Sequence, residues 1–193
     1  MNKPLLCGAL AFAAALAAPA HASTVALAAD GQWNEFDVDS FAAPSFGTGW
    51  IDNTDGSALS FTFTIAAGHT GTLTVVDAGF AGDTFTVTNF GSALGATAGV
   101  APGSIATDPV FDFSAAYANP SFSNGVFTLG AGSYAISGSL LQSVFDDAGF
   151  PLDATIGAVR LSVVPEASSA ALLLAGLGAL GLFARRRQGR AAA

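Results

Sequence analysis

The sequence predicts an all-β chain: an antiparallel β-sandwich or jelly-roll-like domain, flanked by an N-terminal signal peptide and a C-terminal transmembrane helix. Three observations lead there. Apolar and hydroxyl residues alternate with a period of two through the middle of the chain. Turn residues interrupt that alternation at intervals near ten positions. The long charge-free apolar stretches lie at the two ends of the 193 residues.

The strands follow in order. Phe36 and Val38 alternate with Asp37 and Asp39 in a weak first strand. Leu59, Phe61, Phe63 and Ile65 alternate cleanly with Ser60, Thr62 and Thr64. Leu73 and Val75 stand against Thr72 and Thr74, and Phe85 and Val87 against Thr84, Thr86 and Thr88. Tyr134 and Ile136 stand against Ser133 and Ser137, and Val159, Leu161 and Val163 against Arg160 and Ser162. One apolar face per strand is the pattern of antiparallel sheets with one wet side. Asp55-Gly56, Ala67-Gly68, Gly82-Asp83, Asn124-Gly125 and Gly130-Ala131-Gly132 supply the turn chemistry between them. Residues 91–124 break the rhythm and read as a long loop, with Asp112 to Ala118 as a short helix. Phe61, Phe63, Phe85, Phe127, Leu129 and Tyr134 are core candidates. Trp33 and Trp50 suit either the core or a sugar-stacking platform, and the core is favoured.

Charge is segregated. Between Ser23 and Val164, Arg160 is the sole Lys or Arg against twelve aspartates and Glu35. So acidic a body repels phosphate backbones, and no nucleic-acid partner is expected. Cys7 is the one cysteine, which leaves the body without disulfide or thiol chemistry.

The ends carry addresses. Lys3, the apolar run Leu5 to Ala18, and Pro19-Ala20-His21-Ala22 have the three parts of a signal peptide. Small residues Ala20 and Ala22 predict cleavage before Ser23 by signal peptidase. The expected layout is a signal over 1–22, an acidic β domain over 23–163 and a sorting tail over 164–193. In that tail, Ala167 to Ala184 contains no charge, and as a helix it would span roughly 27 Å, close to a bilayer's hydrocarbon thickness. Arg185, Arg186 and Arg187 follow at once as a stop-transfer cluster that favours the cytoplasmic side.

Val164-Pro165-Glu166, then a Leu/Ala/Gly-rich apolar stretch, then arginines, resembles the PEP-CTERM sorting tail of Gram-negative bacteria. The family's Pro-Glu-Pro falls on Pro165, Glu166 and Ala167. The resemblance implies recognition by an exosortase, a membrane-embedded transpeptidase that cuts near the motif. It also implies transfer from the inner membrane to the envelope, the cell surface or the extracellular matrix, with a link to exopolysaccharide and biofilm. Proline fixes φ and lacks an N–H, so Pro165 holds the segment extended beside the helix.

No reaction chemistry is expected of the body. His69 lies in Gly68-His69-Thr70-Gly71 and reads as a hairpin-tip residue, and no Gly-x-Ser-x-Gly elbow accompanies it. Zinc lacks ligands of the usual kind. Asp37 with Asp39, and Asp146 with Asp147, are the carboxylate pairs a glycosidase would need, but turns recruit Asp for their own hydrogen bonds. No cofactor is expected; calcium at Asp52 and Asp55, in Asp52-Asn53-Thr54-Asp55-Gly56, is a weak metal candidate that fails the EF-hand spacing.

Overall fold

The computed structural model describes residues 22–166 and Leu177. Its elements are β1 (Ala22–Ala26), β2 (Asn34–Asp39), β3 (Ala58–Ile65), β4 (His69–Ala78), β5 (Thr84–Asn89), β6 (Ser92–Ala96), α1 (Phe113–Ala118), β7 (Asn124–Leu129), β8 (Gly132–Gln142) and β9 (Ala154–Pro165). The all-β expectation holds, and each of the six alternating runs is a strand. Asp112 opens α1 as its N-cap, its side chain accepting the N–H groups of Ser114 and Ala115. The expected loop over 91–124 contains β6 as well as α1.

Two sheets form, ordered β1-β3-β8-β5-β6 and β2-β9-β4-β7. Leaving β1 aside, the partners nest: β2 with β9, β3 with β8, β4 with β7, β5 with β6. A long hairpin rolled up on itself gives that order, the arrangement of a jelly roll. The fully antiparallel expectation needs one correction. β1 pairs in parallel with β3, from Ala22↔Ala58 to Ala26↔Thr62. The cause is topological: successive strands reverse direction, β2 crosses to the other sheet, and β1 and β3 are left side by side running the same way.

The inward faces share one core. Phe36, Val38, Leu73, Val75, Val159 and Leu161 from the four-stranded sheet meet Leu59, Phe61, Ile65, Phe85, Val87 and Ile136 from the other. Trp50, from the loop after β2, is 2% exposed and stacks on Phe36 with ring centroids 3.9 Å apart. Room for these rings comes from glycines. A Cβ at Gly138 would lie 2.6 Å from the Trp50 ring, and one at Gly157 would collide with Phe36. A smaller cluster of Val76, Ala78, Ala116, Phe122 and Ala158 covers the outer side of the four-stranded sheet beneath α1.

All nine strands run between the same two ends. One end holds the short β3–β4, β5–β6 and β7–β8 turns and the C-terminal end of β9. The other holds the connections 40–57, 79–83, 97–123 and 143–153. Among the described residues no helix is long and apolar enough to cross a membrane. The signal over 1–21 with Ala20, the apolar span from Ala167 to Ala184 except Leu177, and Arg185, Arg186 and Arg187 lie outside the described residues.

Candidate functional site

The motif residues Val164, Pro165 and Glu166 stand at the turn end of the domain, and no free linker separates them from the sheet. β9 lies between β2 and β4, and its ladder with β4 runs unbroken from Ala78↔Ile156 to His69↔Pro165. Val164 is opposite Thr70, with its side chain 57% exposed. Pro165 has no N–H to donate, so the regular ladder ends there. The next donor, the Glu166 N–H, reaches the Gly68 carbonyl in the β3–β4 turn at 2.8 Å. The Thr70 hydroxyl donates to Glu166 Oε1 at 3.0 Å.

The β3–β4 turn therefore clasps the motif. Gly68 adopts φ +75°, a left-handed conformation that glycine enters without strain, and this aims its carbonyl along the edge. His69, expected at the hairpin tip, is the first residue of β4; its Nδ1 lies 3.3 Å from the Ala67 carbonyl. The result is an exposed Val-Pro-Glu tripeptide held in extended form at a known position on the domain's rim. Extended substrate backbone is what an enzyme that adds to a strand edge can read.

The other expected residues fall apart in space. Ala22 and Ser23, flanking the expected cleavage point, are the first pairs of β1 at the opposite end of the domain. Asp52 accepts the Thr54 N–H at 2.8 Å and the Ser23 hydroxyl at 2.9 Å. Those bonds, Thr54 first, hold its carboxyl below the usual range. Asp55 accepts the Ser57 N–H at 2.9 Å. This is the hydrogen bonding of Asx turns. Among the described residues no three of His, Cys, Asp and Glu gather as a metal-sized group. Asp39 accepts the N–H groups of Phe41 and Ala42, and Asp146 those of Ala148 and Phe150. Trp50 is a core residue, while Trp33 is half-buried with the Arg160 guanidinium 4.3 Å over its ring.

Two carboxyls that the sequence reading passed over are more unusual. Asp77, at the inner face of β4, and Asp83, just before β5, are both fully buried. Burial pushes Asp77 up to about 9, with the charge of Asp83 adding to it and the N–H groups of Gly82, Asp83 and Ser123 opposing. Burial pushes Asp83 up to about 6, against the Thr155 hydroxyl and the Val144 N–H, while the charge of Asp153 raises it further. The signal was present. The parity that turns Leu73, Val75, Phe85 and Val87 inward also turns Asp77 and Asp83 inward, but Gly82-Asp83 also reads as a turn.

Comparison with known proteins bears on the motif. No curated protein matches the chain in sequence. The pre-peptidase C-terminal domain of collagenase from Bacillus anthracis is 9% identical, covering 75% of this chain and 98% of its own, at a TM-score of 0.37. PliG from Aeromonas hydrophila, a periplasmic lysozyme inhibitor of g-type lysozyme, is 12% identical, covering 74% and 97%, at 0.33. Neither likeness bears on function. Residues 163–188, however, match the PEP-CTERM protein-sorting motif, spanning Val164, Pro165, Glu166 and the Arg185 cluster. The chain thus carries a PEP-CTERM sorting motif, which marks it as an exported, envelope-associated protein handled by an exosortase.

Proposed function

We propose that this chain is a noncatalytic cell-surface or extracellular-matrix protein that works alongside exopolysaccharide in a biofilm. In this reading, signal peptidase frees Ser23, and the precursor stays in the inner membrane through the stretch before Arg185 with its β domain outside. An exosortase then cuts near Glu166. One observation carries the proposal: β9 runs from the loop end directly into the clasped Val164-Pro165-Glu166, so the cutting site and the long connections occupy opposite ends. The membrane enzyme works at one end while the loops face away from the membrane.

Intact mass of the protein from culture fluid and from membranes, in cells carrying the sorting enzyme, tests this. A released species beginning at Ser23 and ending near Pro165 is the expected result. A membrane species still carrying Arg185 to Ala193 as the sole product would reduce the tail to an anchor.

A glycan-binding adhesion module is the second reading. Phe41, Phe111 and Phe150 are each about two-thirds or more exposed, and all three lie in the long connections of the loop end. Aromatic faces beside Asp108, Asp112, Asp146 and Asp147 suit sugar rings and their hydroxyls. Retention on exopolysaccharide from the same cells, lost on Phe111→Ala and Phe150→Ala, is the result this reading expects.

A further inference from the structure

The interior of the loop end holds two fully buried carboxyls and no Lys or Arg to answer them. Asp77 Oδ1 and Asp83 Oδ2 are buried without a hydrogen-bond partner. Arg160, the only Lys or Arg between residues 22 and 166, sits over Trp33 and Tyr117, away from them on the outer face. The Thr155 hydroxyl bears on Asp83, and the Asp83 and Ser123 N–H groups on Asp77, but two other neighbouring side-chain donors are committed elsewhere. The Ser123 hydroxyl bonds Thr97 and Ala98, and the Gln142 amide bonds the carbonyls of Gly82 and Val100. Each carboxyl is nevertheless held in place on its other oxygen. The Gly82 N–H donates to Asp77 Oδ2 at 3.3 Å, and the Val144 N–H to Asp83 Oδ1 at 2.8 Å.

The enclosure is tight. Glycine at 82 and 103 lets the 79–83 turn touch the 97–112 connection; a Cβ on either residue would run into the other segment's backbone. Oxygens free of partners, positioned by backbone donors and shut away from bulk water, are the opposite of a solvated acidic surface. A buried polar atom left in this state costs free energy unless something fills the gap.

We propose that Asp77 and Asp83 together bind a divalent calcium ion inside the loop end of the domain. The ion would meet Asp77 Oδ1 and Asp83 Oδ2 directly, and backbone carbonyls or trapped water would complete its shell. Oxygen donors in irregular geometry suit calcium's flexible coordination, whereas magnesium demands near-ideal octahedral geometry and gives up water reluctantly. This site is distinct from Asp52 and Asp55, whose oxygens serve surface turns. The ion would pin the start of β5 to the end of β4 and brace the loops that face away from the sorting end.

The test is thermal unfolding of the full chain in detergent at pH 7.5, in chelator and in 10 mM calcium. For a dissociation constant near that of extracellular calcium modules, the midpoint rises by about 5–10 °C. Asp77→Asn with Asp83→Asn abolishes the rise, and Asp52→Asn keeps it. Because the double variant could fail to fold, terbium luminescence on the unmodified protein provides an independent reading. Its lifetimes in light and heavy water report few bound waters for an enclosed ion and a nearly full shell for a surface one. A midpoint indifferent to calcium, a rise that survives the double substitution, or a fully hydrated terbium ion would overturn the proposal.

Discussion

Burial raises three carboxyls of this domain, and the sign of the effect follows from their direction. Asp77 is pushed up to about 9, and Asp83 and Asp37 up to about 6, from an ordinary value near 3.8. For Asp37 burial comes first, then the charges of Glu35, Asp39 and Asp52. Between that value and their folded ones these groups bind more protons in the folded chain than in the unfolded one. Their support for the fold is therefore complete below about pH 4 and is lost as pH rises, to about 6 for Asp83 and Asp37 and about 9 for Asp77. In chelator, the melting midpoint should fall by about 5–10 °C between pH 5 and pH 8, and Asp77→Asn should flatten much of that slope. A midpoint rising over the same range would contradict the assignment. At the other end, Thr70→Val removes the hydroxyl bond to Glu166 and leaves the strand pairing intact. Pulse-chase in cells with the sorting enzyme should then show tail removal two- to five-fold faster, roughly one exposed hydrogen bond's worth. Val164, Pro165 and Glu166 were legible as a motif because a charge-free apolar stretch and an arginine cluster follow them in the order of the sorting tail they resemble. The clasp was not, since nothing local to Thr70 announces a partner 96 residues away.

At the scale of elements, strands with a period of two were legible, the edge strand β2 among them, and the edge strands β1, β6 and β7 were not. β3 reads as a strand because one of its faces is apolar throughout. β6, Ser92-Ala93-Leu94-Gly95-Ala96, is a sheet edge in which Leu94 alone is a large apolar residue packed on the core, too little to show a period of two. β1 is likewise an edge, and its parallel pairing depends on the path of β2 through the other sheet, which no local pattern encodes. Trp50 is in the core, as its sequence favoured, although it comes from a connecting segment and fills the core from outside the strands. Its accommodation is shared with β8. Gly138→Ala would force a Cβ against the indole and the Thr86 carbonyl, and it should destabilise the domain by about 1–3 kcal/mol in a urea titration. Gly149→Ala, where nothing lies within 4 Å of the added methyl but φ is +82°, gives a control for backbone strain without collision.

Across the whole molecule, β9 joins sorting and folding in one element. It is flanked by β2 and β4, and its Val159 and Leu161 are core residues. A chain ending after Glu166 should keep its melting midpoint within about 2 °C, whereas one ending after Arg160 loses the clasp on Glu166, the core residue Leu161 and half of the β4–β9 ladder and should unfold cooperatively at a clearly lower temperature, read by circular dichroism. The same strand has a mechanical meaning. Its 12 residues extend roughly 40 Å from the loop end to the tail. If the tail is tethered and something tugs on the loops, tension runs along β9, and the hydrogen bonds to both neighbours resist sliding together. A tug directed sideways at Pro165 would instead open them one at a time. The domain is strong along the axis in which a tethered surface protein is stretched, and it yields at the corner where a processing enzyme has to take hold.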